Sequence, residues 1–316
     1  MRRCAALAAI LFVTAAGCKS DRKQIAVIPK ATSHLFWVSV QAGAFAAGQE
    51  FGVEVLWNGP ALETDFSRQI QIVDSMTARR VDGIALAAAE RKALVQSVDR
   101  AVAAGIPVTI FDSGLDSTNY MSFVATDNYA AGKLAASTLG RLLNGNGKAA
   151  VVLHVPGSFS TMERERGFED GIKEFPGINV VQRQYGMSDR AKALAAAENI
   201  LTAHPDLDGI FASTEPSSLG AALALKARGL SDKVKLVAFD SSDSMIEDLK
   251  GGTIDAMVVQ DPFRMGHEAV KTIVDKLNGA TPPKRLDLAA IVVSRENLEQ
   301  ADIRKVLFPD VKRFVK

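Results

Sequence analysis

Phe111-Asp112-Ser113 and Phe239-Asp240-Ser241 close two apolar runs of this chain, Ile106-Pro107-Val108-Thr109-Ile110 and Val234-Lys235-Leu236-Val237-Ala238. A second matched phrase stands upstream of each, Asp82-Gly83-Ile84-Ala85-Leu86-Ala87 and Asp208-Gly209-Ile210-Phe211-Ala212-Ser213, with a helix-like stretch in between. The same α/β unit is therefore used twice. In open parallel α/β sheets ligands bind beyond the carboxyl ends of the strands, and Asp112 and Asp240 both fall there. If the two units face each other, the carboxylates converge on one cleft, where each accepts paired hydrogen bonds from vicinal hydroxyls. The competing reading makes each Asp the cap of a following helix; its occurrence at two equivalent places argues for the cleft.

The 316 residues suit two lobes of ordinary size. With 47% hydrophobic and 23% charged residues the composition is that of a globular protein with material for two cores. Met1-Arg2-Arg3, the apolar run Cys4 to Val13 and Ala15-Ala16-Gly17 have the three-part form of a secretory signal over 1–17, ending at Cys18. Ala15-Ala16-Gly17-Cys18 resembles the bacterial lipobox, with Ala15 where that motif usually has Leu, and makes Cys18 the expected lipidation site. The alternative is cleavage after an Ala-x-Ala-like site, giving a soluble protein. Losing Arg2 and Arg3 takes the net charge from +1 to −1, which gives no electrostatic case for nucleic acid. Cys18 is then the only cysteine, so no internal disulfide forms.

Beyond a tether at 18–23, Gln24 to Pro29 reads as a buried first strand ended by Lys30. A loop with His34 feeds a helix from about Phe36 to Phe51, with Phe36 and Trp37 at the cleft edge, as core or as a stacking platform. Strands at Gly52–Trp57, Asp82–Ala87 and up to Phe111 alternate with helices at about Thr64–Arg79 and Lys92–Ala104. Ser122–Thr126 leads to Asp127-Asn128 and a helix, Tyr129–Leu143. The second unit repeats this with strands Lys148–His154, Ile178–Tyr185, Leu207–Ala212 and Ala256–Gln260. Ser160-Thr161-Met162-Glu163 has the form of a capping box, placing Arg164 on the first turn, where the helix dipole disfavours it. Arg164 is then either functional or a solvated partner of Glu163 or Glu165. Leu288–Val293 reads as one last strand, and the basic tail as a peripheral helix.

Taken together, Ile25-Ala26-Val27-Ile28 with Phe36-Trp37, Gly105-Ile106-Pro107-Val108 ending at Asp112, Ala125-Thr126-Asp127-Asn128, Arg164-Glu165-Arg166-Gly167-Phe168, Ala203-His204-Pro205-Asp206, Phe239-Asp240, and Gln260 with Pro262 resemble the type I periplasmic sugar-binding proteins, the ribose-binding group in particular. The resemblance spans about Ile25 to Val293. It implies an α/β fold of two doubly wound parallel-sheet lobes on a three-stranded hinge, with crossovers near Thr126-Asp127, Gln260-Asp261 and Leu288–Ile291. The first lobe is then 24–126 plus 261–289 and the second 127–260 plus 290–316. Carried over by position, it makes Phe36, Trp37, Asp112, Arg164, Asp240 and Gln260 ligand contacts, and brings Lys30, His34, Ser113, Asn128 and Thr214 into the expected site. Lys30 stands where ribose binders have a small hydroxyl residue, His34 and Thr214 replace asparagines, and Ser113 replaces an arginine. Ile28-Pro29-Lys30 with Gly59-Pro60 is similar instead to the rhamnose and autoinducer receptors.

The resemblance implies capture of a monosaccharide or small polyol by hinge closure, and delivery to an inner-membrane ABC permease by a monomer in the periplasm or at the cell surface, held by its lipid. The ligands in view are a pentose, a deoxysugar, a polyol, or a sugar whose carboxylate Lys30 neutralises. The alternative function is a sensory receptor that presents the sugar to a membrane kinase or chemoreceptor. Against an enzyme, His34, His154, His204 and His267 have no metal-ligand spacing, and no nucleophile elbow or phosphate loop occurs. No cofactor or metal is expected, and the histidines read as surface or packing residues, with His34 at the cleft mouth.

Overall fold

The computed structural model describes residues 22–315; the expected signal at 1–17, the lipidation site Cys18 and the tether up to residue 21 lie outside them. Strands β1 (Gln24–Ile28), β2 (Glu54–Trp57), β3 (Gly83–Leu86), β4 (Val108–Phe111) and β5 (Ser122–Thr126) alternate with helices. Then β6 (Asn146–Leu153), β7 (Gly177–Tyr185), β8 (Gly209–Ala212), β9 (Lys235–Phe239) and β10 (Ala256–Val259) repeat the pattern, and β11 (Arg285–Leu288) and β12 (Ile291–Val293) follow. Two six-stranded sheets result, ordered β11-β5-β4-β3-β1-β2 and β12-β10-β9-β8-β6-β7, so each strand of the first has a counterpart in the second. All pairings are parallel except that of β12 with β10. The expected last strand Leu288–Val293 is in fact two strands: Leu288 pairs with Thr126 in one sheet and Ile291 with Val259 in the other, because the chain changes lobe between them.

Both sheets are covered on both faces, which is why their strands read as continuous apolar runs. Ile25 and Val27 enter one core with Trp37, Val40 and Met265, while Ala26 and Ile28 enter the opposite core with Ile72, Met76 and Val98. In the second lobe Ala149 and Val151 pack with Phe168 and Phe211, and Ala150 and Val152 with Ile200 and Leu225.

The duplication extends to single atoms. Asp82 Oδ2 accepts the N–H of Gln24 at 2.8 Å, and Asp208 Oδ2 accepts that of Lys148 at 2.7 Å, so the two Asp-Gly phrases tie β3 and β8 to the central strands beside them. Asp127 and Asp261, just past two of the lobe crossovers, cap the helices Asn128–Leu142 and Pro262–Leu277 through the N–H groups of Ala130 and Arg264. Each capped helix crosses a partner at a pair of glycines in matching places. A Cβ on Gly132 would lie 1.9 Å from Arg164 O and one on Gly167 2.1 Å from Tyr129 O; one on Gly266 would lie 2.0 Å from Val40 O and one on Gly43 1.8 Å from Phe263 O. The backbone of Arg164 is thus fixed by a contact that only glycine permits.

The three crossovers lie side by side, with Asp127 N donating to Leu288 O at 3.2 Å and Thr126 Oγ1 donating to Gln260 Oε1 at 2.6 Å. The tail adds a fourth passage between the lobes. Ile303 and Leu307 of the helix Ala301–Leu307 enter the second lobe's core, whereas the turn Val311–Arg313 packs on the first-lobe helix Leu35–Phe51 and the Phe314 ring lies 5.9 Å from Phe263.

Gly132→Ala and Gly266→Ala should each lower the melting temperature, since inserting a methyl into a tight crossing costs about 1–3 kcal/mol. Calorimetric melting indistinguishable from that of the unsubstituted protein would show that the crossings have slack.

Candidate functional site

Asp112 and Asp240 sit at the carboxyl ends of β4 and β9 in left-handed conformation, with φ of 56° and 69°, a region that Asp visits more readily than most residues. Their N–H groups donate to the matching carbonyls Val124 O and Val258 O, each at 2.9 Å. Neither is a helix cap: Ser242 caps the helix Asp243–Lys250 by accepting from Met245 N, and Asp112 leads into an irregular segment before β5. Both side chains are buried. Asp240 accepts from Gln260 Nε2 at 2.7 Å and from Glu215 N at 3.1 Å. Asp112 Oδ2 lies 3.1 Å from Lys30 Nζ yet accepts no hydrogen bond from any described residue. Burial raises the Asp112 carboxyl above its ordinary range, against the pull of the Lys30 ammonium.

Both carboxylates line one cavity between the lobes. Of the residues expected there, Lys30, His34, Phe36, Trp37, Arg164, Thr214 and Gln260 join Asp112 and Asp240 in its wall. Ser113 and Asn128 do not line it, and each bonds to a residue that does. The buried Ser113 Oγ accepts from Ser160 N at 3.2 Å across the lobes, and Asn128 Oδ1 accepts from Arg164 Nε at 3.1 Å and Nη2 at 2.7 Å.

Arg164 is 2% exposed, so the solvated reading fails. Its Nη1 donates to Ser213 O, and its guanidinium lies 3.5 Å from the centre of the Phe239 ring. Glu163 pairs with Arg166 instead, and Glu165 accepts from His154 N and Ser213 Oγ, both at 2.9 Å. The expected capping box is not made either: the helix begins at Phe159, and Ser160 Oγ accepts from Lys30 Nζ at 3.2 Å. The aromatic pair divides its roles. Trp37 is buried and donates through Nε1 to Glu63 at 3.0 Å, while the half-buried Phe36, perpendicular to it at 5.0 Å, lines the cavity. Buried Gln69 holds the loop ahead of Lys30, donating to Pro29 O and Ala87 O and accepting from Ala89 N.

Six wall residues escaped the sequence reading, three of them titratable. Glu63, from the loop after β2, accepts from Trp37 and, across the lobes, from His154 Nε2 at 2.8 Å, with Lys30 Nζ 3.9 Å away. Burial works against its charge, but Lys30 and His154 together hold Glu63 far below the ordinary carboxylate range. Burial lowers the His154 imidazole against the pull of Glu63, and with Glu63 ionised it is the His154 Nε2 hydrogen that joins the two. Glu215 is pushed up to about 7 by burial and then by Asp240, and accepts only weakly, from Phe36 N at 3.4 Å. His154 directly follows β6 and Glu215 opens the helix just past β8, where the strand-end rule would have found them; Glu63 lies too far along its loop for any such signal.

Contacts across the cleft place the lobes in a closed arrangement. Lys30 Nζ donates to Ser158 and Ser160, His34 Nε2 meets Ser188 Oγ at 3.0 Å, and Arg91 N donates to Gly157 O at 3.0 Å. Among the described residues no group of three or more His, Cys, Asp or Glu is placed to hold a metal ion.

Glu165 gives a test of these electrostatics. Burial pushes its carboxyl from 4.5 up to about 7, so the folded state favours the proton: the ionised form is penalised above pH 7, and the penalty vanishes as pH falls below 4.5. Glu165→Gln, which keeps an acceptor for His154 N and Ser213, should gain about 3 kcal/mol at pH 8 relative to the parent. That gain should disappear by pH 4.5; a pH-independent difference in melting temperature would mean Glu165 is not buried as described.

The family described as periplasmic binding protein domain matches residues 25–281. The D-ribose/D-allose-binding protein of Pseudomonas aeruginosa is 30% identical over 275 residues, covering 84% of this chain and 86% of that protein. The D-allose-binding periplasmic protein of Escherichia coli is 30% identical over 260 residues, 80% of this chain and 84% of that one. Among solved structures, an ABC transporter solute-binding protein from Agrobacterium vitis with bound D-fucose is 37% identical with a TM-score of 0.88, covering 90% of this chain and 100% of that one. A carbohydrate transporter solute-binding protein from Agrobacterium radiobacter in complex with D-arabinose is 33% identical with a TM-score of 0.89, covering 92% and 100%. On the sheet order, the paired strand-end carboxylates and these matches, the chain belongs to the periplasmic binding proteins, in the type I sugar-binding group that includes the ribose-binding proteins.

Proposed function

We propose that this protein captures a monosaccharide or closely related small polyol between its lobes and hands it, as a monomer, to an ABC permease in the inner membrane. The observation that carries this reading is the convergence of Asp112 and Asp240, from equivalent strand ends of opposite lobes, on one cavity between them. A sugar supplies the donors that Asp112 Oδ2 lacks, meets Asp240 and Gln260 beside the hinge, lies against the open face of Phe36, and receives the Arg164 hydrogens not spent on Asn128 and Ser213. Closure follows because these groups surround a ligand from both sides only in the closed form. Each hydrogen bond to a charged group contributes about 1.5–3 kcal/mol. Several of them offset the ordering costs and reach the roughly 8 kcal/mol of micromolar affinity.

The moving bodies in this reading are 24–126 with 261–289 and 127–260 with 290–316, the last residues of the tail leaning back on the first. The protein works outside the inner membrane, where Cys18, once acylated, would tether it. The relatives named for ribose and allose, and the structures with D-fucose and D-arabinose, set the first ligands to try.

A thermal-shift screen over pentoses, hexoses, deoxysugars and polyols should find a sugar that raises the melting temperature. Calorimetry with that sugar should then show Asp240→Ala and Asp112→Ala each weakening binding by about a hundredfold or more, equivalent to roughly 3 kcal/mol. Undiminished affinity in both variants would sink the reading.

A further inference from the structure

The cavity wall carries two cations, Lys30 and Arg164, against four carboxylates, Glu63, Asp112, Glu215 and Asp240. Lys30 is already engaged within the protein: Asp112 lies at 3.1 Å, Glu63 at 3.9 Å, and two of its hydrogens go to Ser158 and Ser160. Arg164 spends three hydrogens on Asn128 and Ser213 and lays its planar face on Phe239, with Glu165 on the neighbouring turn. The Trp37 and His154 hydrogens both go to Glu63. His34 faces Ser188. The buried polar atom of this wall that has an ion pair but no well-directed hydrogen bond among the described residues is an acceptor, Asp112 Oδ2.

Resting on the sugar-capture reading, we infer that Glu63 is a specificity-determining residue that makes the cavity refuse sugar acids. By matching Lys30 together with Asp112 and taking up the Trp37 and His154 hydrogens, Glu63, the wall carboxyl held far below the ordinary range, keeps Lys30 from a guest and fixes a negative charge in the wall. A guest must bring hydrogens, as hydroxyl groups do, and a guest carboxylate meets like charge in a desolvated site, where screening is weak. This excludes the role that the sequence left open for Lys30, neutralising a carboxylate on the ligand. Glu63 does this from the first lobe while bonded to His154 of the second, so the charge balance is completed only on closure.

The test is calorimetry at pH 7.5 with matched pairs, D-galactose with D-galacturonate, D-arabinose with D-arabinonate and D-ribose with D-ribonate. The expected result is that each acid binds at least about a hundredfold more weakly than the neutral partner. Glu63→Gln should narrow that ratio by about tenfold or more, whereas a merely structural role would move both affinities by the same factor. Lys30→Gln provides a check that survives misfolding of the Glu63 variant: it should weaken the neutral and acidic partners together. An acid that binds as tightly as its neutral partner, a Glu63→Gln ratio equal to the parent's, or selective loss of acid binding in Lys30→Gln would each overturn the inference while leaving sugar capture standing. If no neutral probe binds, sugar capture itself fails and the inference falls with it.

Discussion

Buried carboxylates must find hydrogens, and for Glu63 and Glu215 some of those hydrogens come from the opposite lobe. Glu63 takes its shortest bond from His154, Glu215 takes one from Phe36, and Lys30 crosses the cleft to two serines while holding Asp112. A desolvated carboxylate without partners is costly enough to be driven toward its neutral form. The closed arrangement therefore satisfies groups that separation would return to water. Asp112 Oδ2 is the conspicuous remainder, and a hydroxylated guest is what completes the set.

The scaffold that brings these groups together is a duplication, and most of it was legible. The repeated Asp-Gly and Phe-Asp-Ser phrases mark matching strands because each has a fixed structural role. The Asp of the first phrase ties neighbouring strands, and that of the second turns the chain into left-handed conformation at a strand end. Apolar runs with turn signals between them located the central strands, since strands buried on both faces leave little room for polar residues. The paired acids directly follow strand ends, and the aromatic pair and Arg164 lie in the first turns of helices that follow strands, so order along the chain nearly dictates their position in space.

What escaped depends on contacts between segments far apart in sequence. Glu63 and His154 are 91 residues apart and meet only because the lobes do. Ser160 and Glu163 have the spacing of a cap, yet Lys30 recruits the serine and Arg166 the glutamate, so tertiary demand overrides a local motif. Ser113 and Asn128 are neighbours of the cavity by position but face a backbone amide and a guanidinium. The single strand expected at Leu288–Val293 hid a change of sheet, because two short apolar pieces separated by two alanines have the same pattern as one.

The tail's return to the first lobe has a mechanical consequence. The described chain enters through β1 of the first lobe, and its last residues turn back from the second lobe onto the helix Leu35–Phe51, so both described ends lie against the same lobe. Optical labels attached beside β1 and beside Phe314 would therefore register little as the jaws part. A reporter spliced into a surface turn of the other body, such as the Asn144-Gly145 turn ahead of β6, would travel with that body instead.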